Sequence, residues 1–391
     1  MQALRLSHLL LSCQALSTLA SMTLLPVMPL YVATLRGVQP THVAAWSAAA
    51  LAAPAAGTLL LGGLAGRCSD RFGCRPILVG GCALFAAGLG LIAVGEHPAQ
   101  LVLGRLLQGI SVLGTGLTIA VVAASEGATG AALGRLEGAT AAGALCGPVL
   151  GGWSLQSDAL RMLLALCALL LLWMAYRFWR QLPLAGAPRP PSPAPTKLRW
   201  PGHCRRWMAG LLLTQAAAFA LVAVFALHMA ERFPGLGGLP GWIGLLHASA
   251  WAAALVAAPG WGHFNNPRRA RSFFCVATAA SAVCLLALAA SHSIWQVALL
   301  RVLLGGCYAA LVPSALLALS TAFDPHQHGV VIGSSRALSS IGQLLGPLLV
   351  MALHPWLPAA WLLIAVASLF LAAAALSPPR TPIFPSAEVA R

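Results

Sequence analysis

The organisation of this chain can be worked out from one charged stretch, Gly66-Arg67-Cys68-Ser69-Asp70-Arg71-Phe72-Gly73-Cys74-Arg75-Pro76. It places four charged side chains between two long apolar runs that carry none. Only 8% of the 391 residues are charged, so this concentration of charge is unusual for the chain. A short basic segment bounded by glycines is typical of a tight cytoplasmic turn between two membrane helices.

The composition is that of a membrane protein. Hydrophobic residues make up 59% of the chain, and its charged fraction is far below the roughly 25% of soluble proteins. A helix needs about 20 mainly apolar residues to cross a bilayer. Twelve segments reach this length, and their glycine and alanine content favours helices over the strands of an outer-membrane barrel. The predicted spans are residues 6–32, 43–65, 76–95, 99–124, 136–155, 160–179, 206–229, 241–262, 272–291, 295–322, 331–353 and 357–377.

The formal net charge of +15 could indicate a nucleic-acid partner, but its distribution argues against one. With a cytoplasmic N-terminus, 17 of the 23 lysine and arginine side chains fall in cytoplasmic segments. This positive-inside distribution predicts that both termini are cytoplasmic. The other arginines are Arg36, Arg161 and Arg232, predicted outside, and Arg105, Arg301 and Arg336, predicted within spans.

No cofactor or metal site is predicted. The ten cysteines are scattered mainly through apolar runs, without the spacing of a metal or redox site, and are interpreted as small buried side chains. No Walker-type phosphate loop is present, so we expect no direct coupling to ATP. The first apolar run is too long for a signal peptide and lacks a cleavage site after it, so we expect it to be retained as a helix.

A basic, proline-rich segment divides the chain into two halves. Its core, Pro188-Arg189-Pro190-Pro191-Ser192-Pro193-Ala194-Pro195, cannot form a membrane helix. We therefore predict a six-helix bundle over residues 1–180, a cytoplasmic linker over residues 181–205, and a second six-helix bundle with a short cytoplasmic tail over residues 206–391.

An internal repeat supports this division. Residues 99–109 match residues 295–305 at a shift of 196, with glutamine, arginine and glycine at equivalent positions. The Gly-x-x-x-Gly-Pro pattern that begins at Gly143 in span 5 recurs at Gly342 in span 11, at a shift of 199. Parallel repeats with a site at the midplane between them are one architecture of secondary transporters.

Three segments resemble signature motifs of the major facilitator superfamily. Gly66-x-x-Ser69-Asp70-Arg71-x-Gly73-x-Arg75 resembles the loop 2–3 signature, motif A, and Leu103-x-Arg105-x-x-Gln108-Gly109 resembles the span 4 signature, motif B. Gly143-x-x-x-Gly147-Pro148-x-x-Gly151-Gly152 resembles motif C of span 5, which marks the drug:proton antiporters of that superfamily. Met28-Pro29-Leu30-Tyr31-Val32 and Trp46-Ser47 resemble bacterial multidrug efflux members. The resemblance covers essentially the whole chain and implies an all-α fold of twelve membrane helices in two pseudo-symmetric bundles.

By this resemblance, motif A is a gate on the cytoplasmic side. Gly66 and Gly73 permit a tight turn and close helix approach. Asp70 would face the amino end of span 11, where unpaired N–H groups favour an anion. The alternative is that Asp70, Arg71 and Arg75 only set the topology.

Three further positions bear on this gate. Glu126 is the expected gate partner of Arg71 or Arg75. Cys74 replaces a residue that is usually basic in motif A, which weakens the charge network around the turn. Phe264 stands where the second half would carry the acid, so we expect no equivalent latch there.

Arg105 lies in mid-span, where a cation costs about 2.5–3.5 kcal/mol on insertion scales. We therefore expect it to face the cavity and to meet a partner. The resemblance implies that Arg105, with Gln108 of the same motif, takes part in proton movement, and that Arg301 is its counterpart in the repeat. The alternative is a structural bond from Arg105 to backbone carbonyls of span 1.

Motif C predicts close helix packing. Gly143, Gly147 and Gly151 recur every four residues, so one face of span 5 lacks side chains and a neighbouring helix can approach it. Gly152 extends the motif, and Pro148 removes a backbone hydrogen bond and can bend the helix.

Carboxylates are scarce, and span 1 holds none, although many drug antiporters carry one there. Glu137 and Arg336 occupy equivalent positions, at a shift of 199. They could form a cytoplasmic pair between the halves, or Arg336 could pair with Asp70; the alternative is two solvated helix ends. His228 or His247 could titrate in place of the missing acid, or could be hydrogen-bonded packing residues.

The predicted function is export of a small amphipathic organic molecule across the bacterial inner membrane by alternating access, coupled to protons as the resemblance to motif C implies. Siderophore export, or an importer or facilitator not coupled to protons, is the alternative, and no catalytic arrangement supports an enzyme. We expect a monomer in the lipid bilayer, with a small-molecule substrate, protons as the coupling ion and no nucleic acid. Candidate cavity residues are Gln14, Gln215, Phe219, Trp251 and Tyr308, because a mainly apolar lining with a few polar groups suits such a ligand.

Overall fold

The protein is described by a computed structural model over residues 2–72, 74–111, 130–181, 200–323 and 327–378. Side-chain environments are described for residues 8–61, 75–111, 135–181, 200–323, 327 and 330–378. Throughout this part of the chain the regular structure is helical, apart from short turns. Nine of its helices are long and apolar enough to cross a membrane.

In the described part of the chain the helices follow the predicted spans and fall into two groups, and residues 112–124 of the fourth predicted span lie outside the described residues. The first group comprises α1 (Gln2–Leu24), α2 (Met28–Ala33), α3 (Val43–Phe72), α4 (Cys74–Val94), α5 (Pro98–Ser111), α6 (Gly130–Gln156) and α7 (Leu160–Gln181). The second comprises α8 (Gly202–Arg232), α9 (Leu239–Phe264), α10 (Ala270–Ala289), α11 (Ile294–Ser320), α12 (His328–Leu353) and α13 (Ala359–Leu376). The predicted all-α membrane fold is therefore confirmed.

Two local predictions need correction. The first predicted span is divided into α1 and α2 by a turn at residues 25–27, because Pro26 and Pro29 cannot donate the backbone bonds that would continue the helix. The charged stretch at residues 66–76 is mainly helical: α3 continues to Phe72 and α4 begins at Cys74. Pro76 is compatible with this, since proline is tolerated in the first turn of a helix.

Four helix pairs pack in the same way in the two halves. In the first half α1 packs on α6, α3 on α5, and α4 on both α5 and α7. In the second half the equivalent pairs are α8 with α12, α9 with α11, and α10 with both α11 and α13. The halves meet through α6 against α9 and through α3 against α12. These two contacts are also related by the repeat, so the bundle is pseudo-symmetric.

The repeat extends to single contacts. Arg36 forms an ion pair with Glu96 at 2.7 Å. At positions shifted by 196, Arg232 contacts the ring of His292 and donates from Nε to the Ser291 carbonyl oxygen at 2.8 Å. These residues mark one end of the bundle, which the sequence predicts to be external and which is called the predicted external face below.

The glycines of α6 bring its backbone against α1. A Cβ atom on Gly143 or on Gly151 would overlap a carbonyl oxygen of α1, and one on Gly147 would lie 2.6 Å from the Leu19 oxygen. In membranes such close contact supplies much of the helix–helix attraction, because apolar side chains gain little by leaving lipid. The α6–α1 interface therefore depends on the absence of side chains at these positions.

Replacing Gly151 by alanine should destabilise the protein by about 1–3 kcal/mol, because the added methyl group must displace the Thr23 carbonyl. Thermal unfolding of the purified protein in detergent measures this. Gly138→Ala is the matched control, since Gly138 lies on the same helix with nothing within 4 Å of the added atom. Equal unfolding temperatures for the two variants would contradict the packing role of Gly151.

Candidate functional site

The two halves are closed against each other at the predicted external face. A Cβ atom on Gly152 of α6 would overlap the Pro240 carbonyl of α9, and one on Gly244 of α9 would overlap the Pro148 carbonyl of α6. The side chain of Gln156 covers the start of α9, with its Oε1 2.8 Å from the Cβ position of Gly241. We call these six residues the glycine–proline seam. With the predicted topology, the seam closes the protein to the outside.

Two arginines are buried at equivalent positions of the halves. Arg105 on α5 and Arg301 on α11 are each only 3% exposed. The Nε of Arg105 donates to the Ala50 carbonyl at 3.4 Å, and the Nε of Arg301 donates to the Leu246 carbonyl at 3.3 Å. Ala50 and Leu246 are themselves related by the 196-residue shift. Both guanidinium groups are thus held in the same way against the second span of their half, which is α3 in the first half and α9 in the second.

The remaining partners of Arg105 are neutral. Its Nη1 donates to Gln108 Oε1 at 2.8 Å and to the Ser21 carbonyl of α1 at 3.5 Å. The expected partner therefore exists, and it is the amide of motif B together with backbone carbonyls. The bond to α1 is the structural contact given above as the alternative, so a role of Arg105 in proton movement stays a prediction.

The remaining partners of Arg301 differ from those of Arg105. Its Nη2 is 3.0 Å from Nδ1 of His247, which is 5% exposed. Its guanidinium also lies 4.6 Å from the ring centre of Phe225 on α8. A cation over an aromatic face in a desolvated site is stabilised by the ring quadrupole. No carboxylate contacts either arginine among the side chains that the structure describes.

Glutamines join the first and fifth spans of each half. Gln14 of α1 donates to Thr140 of α6 at 3.0 Å, and Gln343 of α12 donates to Gln215 of α8 at 3.3 Å. All four side chains are partly buried, which leaves them able to meet a ligand. Gln14 and Gln215 were predicted from the sequence, whereas their partners Thr140 and Gln343 were not. Thr140 could have been found, because it lies on the same helical face as Gly143.

The other predicted cavity residues differ in their exposure. Phe219 is half-buried and Trp251 is 40% exposed. The Tyr308 hydroxyl is buried without a hydrogen-bond partner in the described part of the chain. His228, near the C-terminal end of α8, is buried, and within the same described residues its Nε2 has no partner.

Most of the predicted gate lies outside the described side chains. Gly66, Asp70, Arg71, Gly73 and Glu126 belong to this group, so their contacts stay predictions. One gate residue is described: the guanidinium of Arg75 lies 4.1 Å from the ring centre of Trp179 on α7. This contact stays within the first half, and sequence reasoning had not identified Trp179.

The proposed pair between the halves is not formed in this conformation. Glu137 and Arg336 are both exposed, and no ion pair joins them among the side chains that the structure describes. Their environment fits the alternative of two solvated helix ends. The side chain of Asp70, the other possible partner of Arg336, lies outside the described residues.

Replacing Gln108 by leucine should lower the stability of the protein by about 1.5–3 kcal/mol, because the best acceptor of a buried guanidinium is lost. Gln108→Glu is the matched control: it keeps an oxygen at the same place and compensates the charge. Thermal unfolding in detergent compares the two variants. Unfolding of Gln108→Leu at the wild-type temperature would show that the Arg105–Gln108 bond contributes nothing.

Comparison with known proteins supplies the family. The profile of the Major Facilitator Superfamily matches residues 10–236 and 207–390, which together span both halves. The Staphyloferrin B transporter of Staphylococcus aureus is 27% identical over 342 residues, covering 83% of this chain and 80% of that protein. Multidrug resistance protein MdtG of Salmonella paratyphi B is 28% identical over 159 residues, 40% of this chain and 39% of that protein.

A solved structure supports the same fold. The nucleoside transporter NupG superposes with a TM-score of 0.79 at 13% sequence identity, covering 95% of this chain and 98% of that one. At this identity the likeness concerns the fold alone. The motifs, the repeated packing and the matched profile agree, and this chain belongs to the Major Facilitator Superfamily of transporters.

Proposed function

We propose that this protein exports a small anionic organic molecule, with siderophores as the leading class, across the bacterial inner membrane in exchange for protons. The observation that carries the proposal is the match to the Staphyloferrin B transporter, which spans 83% of the chain and therefore includes both halves. The match to the multidrug protein covers 40%. A substrate site formed between two halves is better reflected by a relative that aligns with both.

The charges of the bundle support an anionic substrate. Arg105 and Arg301 are cations in its interior, and neither is compensated by a carboxylate among the described side chains. The acids with described side chains lie at or near helix ends: Glu96, Glu137, Asp158 and Glu231. A positive interior of low dielectric attracts anions and repels cationic drugs. This distinguishes the proposal from a pump for cationic dyes.

The seam supports alternating access. Close backbone contact between α6 and α9 can close one face only while the halves are tilted together. Transport requires the seam to open as the opposite face closes. The resemblance to motif C favours export, and the proposed topology places both termini in the cytoplasm. The proposed working unit is a monomer, and Arg105, Gln108, Glu137, Arg301, Arg336 and His228 are candidates for coupling to protons.

A facilitator or importer of the same fold is the second candidate. It is favoured by one observation, the absence of any acidic residue from the first span, where many proton-coupled drug transporters carry one. Such a protein would move its substrate down its own gradient without using protons.

The test is transport into proteoliposomes under an imposed pH gradient, with staphyloferrin B, a hydroxamate siderophore and the cationic dye ethidium as probes. We expect accumulation of a siderophore against its gradient, and its loss in Arg105→Ala, since that variant lacks the buried cation. Arg36→Ala is the control, because Arg36 lies exposed at the predicted external face. Siderophore transport at a rate independent of the pH gradient would establish the facilitator instead. Transport of ethidium but of neither siderophore would refute an anionic substrate.

A further inference from the structure

The two halves differ in chemistry at the buried arginines. Positions shifted by 196 keep the Nε bond to a backbone carbonyl in both halves. The second acceptor is not kept. In the first half it is Gln108, one turn along α5. The equivalent position on α11 is Leu304, which is buried and has no polar atom in its side chain.

The second half takes its acceptor from another helix. His247 of α9 stands where the first half has Leu51, and its Nδ1 is 3.0 Å from Nη2 of Arg301. A permanent amide acceptor has thus been replaced by an imidazole. Of the two side chains, only the imidazole has a ring nitrogen that can bind a proton.

The hydrogen bond defines the charge state of His247. A guanidinium has donors only, so Nδ1 must accept, and the ring must be neutral with its proton on Nε2. Addition of a proton at Nδ1 produces an imidazolium and removes the acceptor. Two cations would then face each other at 3.0 Å, with 5% and 3% of their surfaces exposed. With so little solvent to screen them, one of the two side chains must move.

Among the described residues of the helices packed around the pair, no other charged group is placed to compensate it. The titratable residues of α6, which packs on α9, are Arg135 and Glu137 near its start and the exposed Cys146. On α9 itself the other histidine is His263, at the opposite end of the helix. On α8 they are His203, Cys204, Arg205 and Arg206 at its start and His228, Glu231 and Arg232 near its end, and on α11 they are Arg301, Cys307 and Tyr308.

Tyr308 offers the displaced arginine a new acceptor. Its hydroxyl lies two turns beyond Arg301 on α11, is buried, and has no hydrogen-bond partner in the described part of the chain. A phenol oxygen can accept from a guanidinium. The site therefore contains His247, which can bind a proton, and Arg301, which must then move. Tyr308, on the same helix as Arg301, supplies an acceptor that has no partner among the described residues.

The pair lies beside the seam. Gly244, whose backbone is in contact with α6, precedes His247 by one turn on α9. A rearrangement of the α9–α11 contact at His247 therefore affects α9, the helix that closes the two halves by packing on α6. The proposed proton-binding residue and the seam that closes the two halves therefore lie on the same helix, α9.

We propose that His247 is the proton-binding residue of this transporter and that Arg301 is the group displaced when Nδ1 of His247 is protonated. This proposal rests on the proposed function, because it identifies where the exchanged proton is carried. The proton arrives from water on one side, is held at Nδ1, and leaves as a proton on the other, with no other bond made or broken.

The first test is His247→Gln in proteoliposomes with staphyloferrin B, and with ethidium in parallel. The glutamine keeps an oxygen acceptor for Arg301 but binds no proton. A gradient of one pH unit sustains about a tenfold concentration ratio when one proton is exchanged per substrate molecule. We expect wild type to accumulate the probe and His247→Gln to lose this accumulation, while exchange of labelled for unlabelled probe without a gradient is retained.

Two variants control this experiment. His263→Gln changes an exposed histidine on the same helix and should accumulate the probe as wild type does. The double variant His247→Leu with Leu304→Gln rebuilds the arrangement of the first half, in which an amide on the arginine's own helix is the acceptor. It should fold and exchange but not accumulate, which keeps the test open if His247→Gln does not fold.

A second measurement separates the two proposals. Hydrogen–deuterium exchange of residues 239–250, corrected for the intrinsic effect of pH, should depend on pH in wild type and not in His247→Gln. If wild type and His247→Gln both accumulate the probe, His247 is not the coupling residue. If wild type accumulates neither probe, proton coupling fails, and the exchange data then decide whether His247 binds a proton. If hydrogen–deuterium exchange of residues 239–250 loses its pH dependence in His247→Gln, His247 is still the proton-binding residue. If the pH dependence is unchanged in that variant, the proposal for His247 is overturned.

Discussion

Close backbone contact along α6 is the constraint on which the rest of the bundle depends. Gly143, Gly147 and Gly151 bring α6 against α1, and Gly152 brings it against α9. Adjacent residues of a helix point about 100° apart, so Gly151 and Gly152 can serve two different neighbours. One helix therefore holds the first half together and also closes it against the second. Apolar side chains gain little free energy by leaving lipid for a helix interface. The close packing of α6 against α1 and α9 therefore depends on small residues.

The second constraint is electrostatic. The chain has 23 basic and eight acidic side chains. Among the side chains that the structure describes, the guanidinium groups of Arg105 and Arg301 are buried and are satisfied by carbonyls, an amide and an imidazole. Neutral acceptors satisfy the donors without cancelling the charge. In the described part of the chain the interior therefore keeps a positive potential, which is the basis for the anionic substrate proposed above.

The repeat shows what was kept and what diverged. Four helix pairs, the contacts of Gly143 and Gly147 and the arginine Nε bonds recur at equivalent positions in both halves. The partners of the arginines do not. Glu96 beside Arg36 becomes His292 beside Arg232, and the Gln108 acceptor is replaced by His247. In both cases the second half carries a histidine. The scaffold is symmetric, and its chemistry is not.

The sequence by itself determined the fold class, the division into halves and the α6 packing face. Bilayer thickness sets the length of a span, and glycine spacing sets where helices can approach closely in lipid, so both can be recognised from local patterns. It also identified Arg105 and Arg301, since a charge within a span is conspicuous. It did not identify Thr140, Gln343 or Trp179, or pair His247 with Arg301, because each contact joins residues on different helices. Only the tertiary structure decided these, since the rotation and depth of each helix depend on its neighbours and leave no local pattern in the chain.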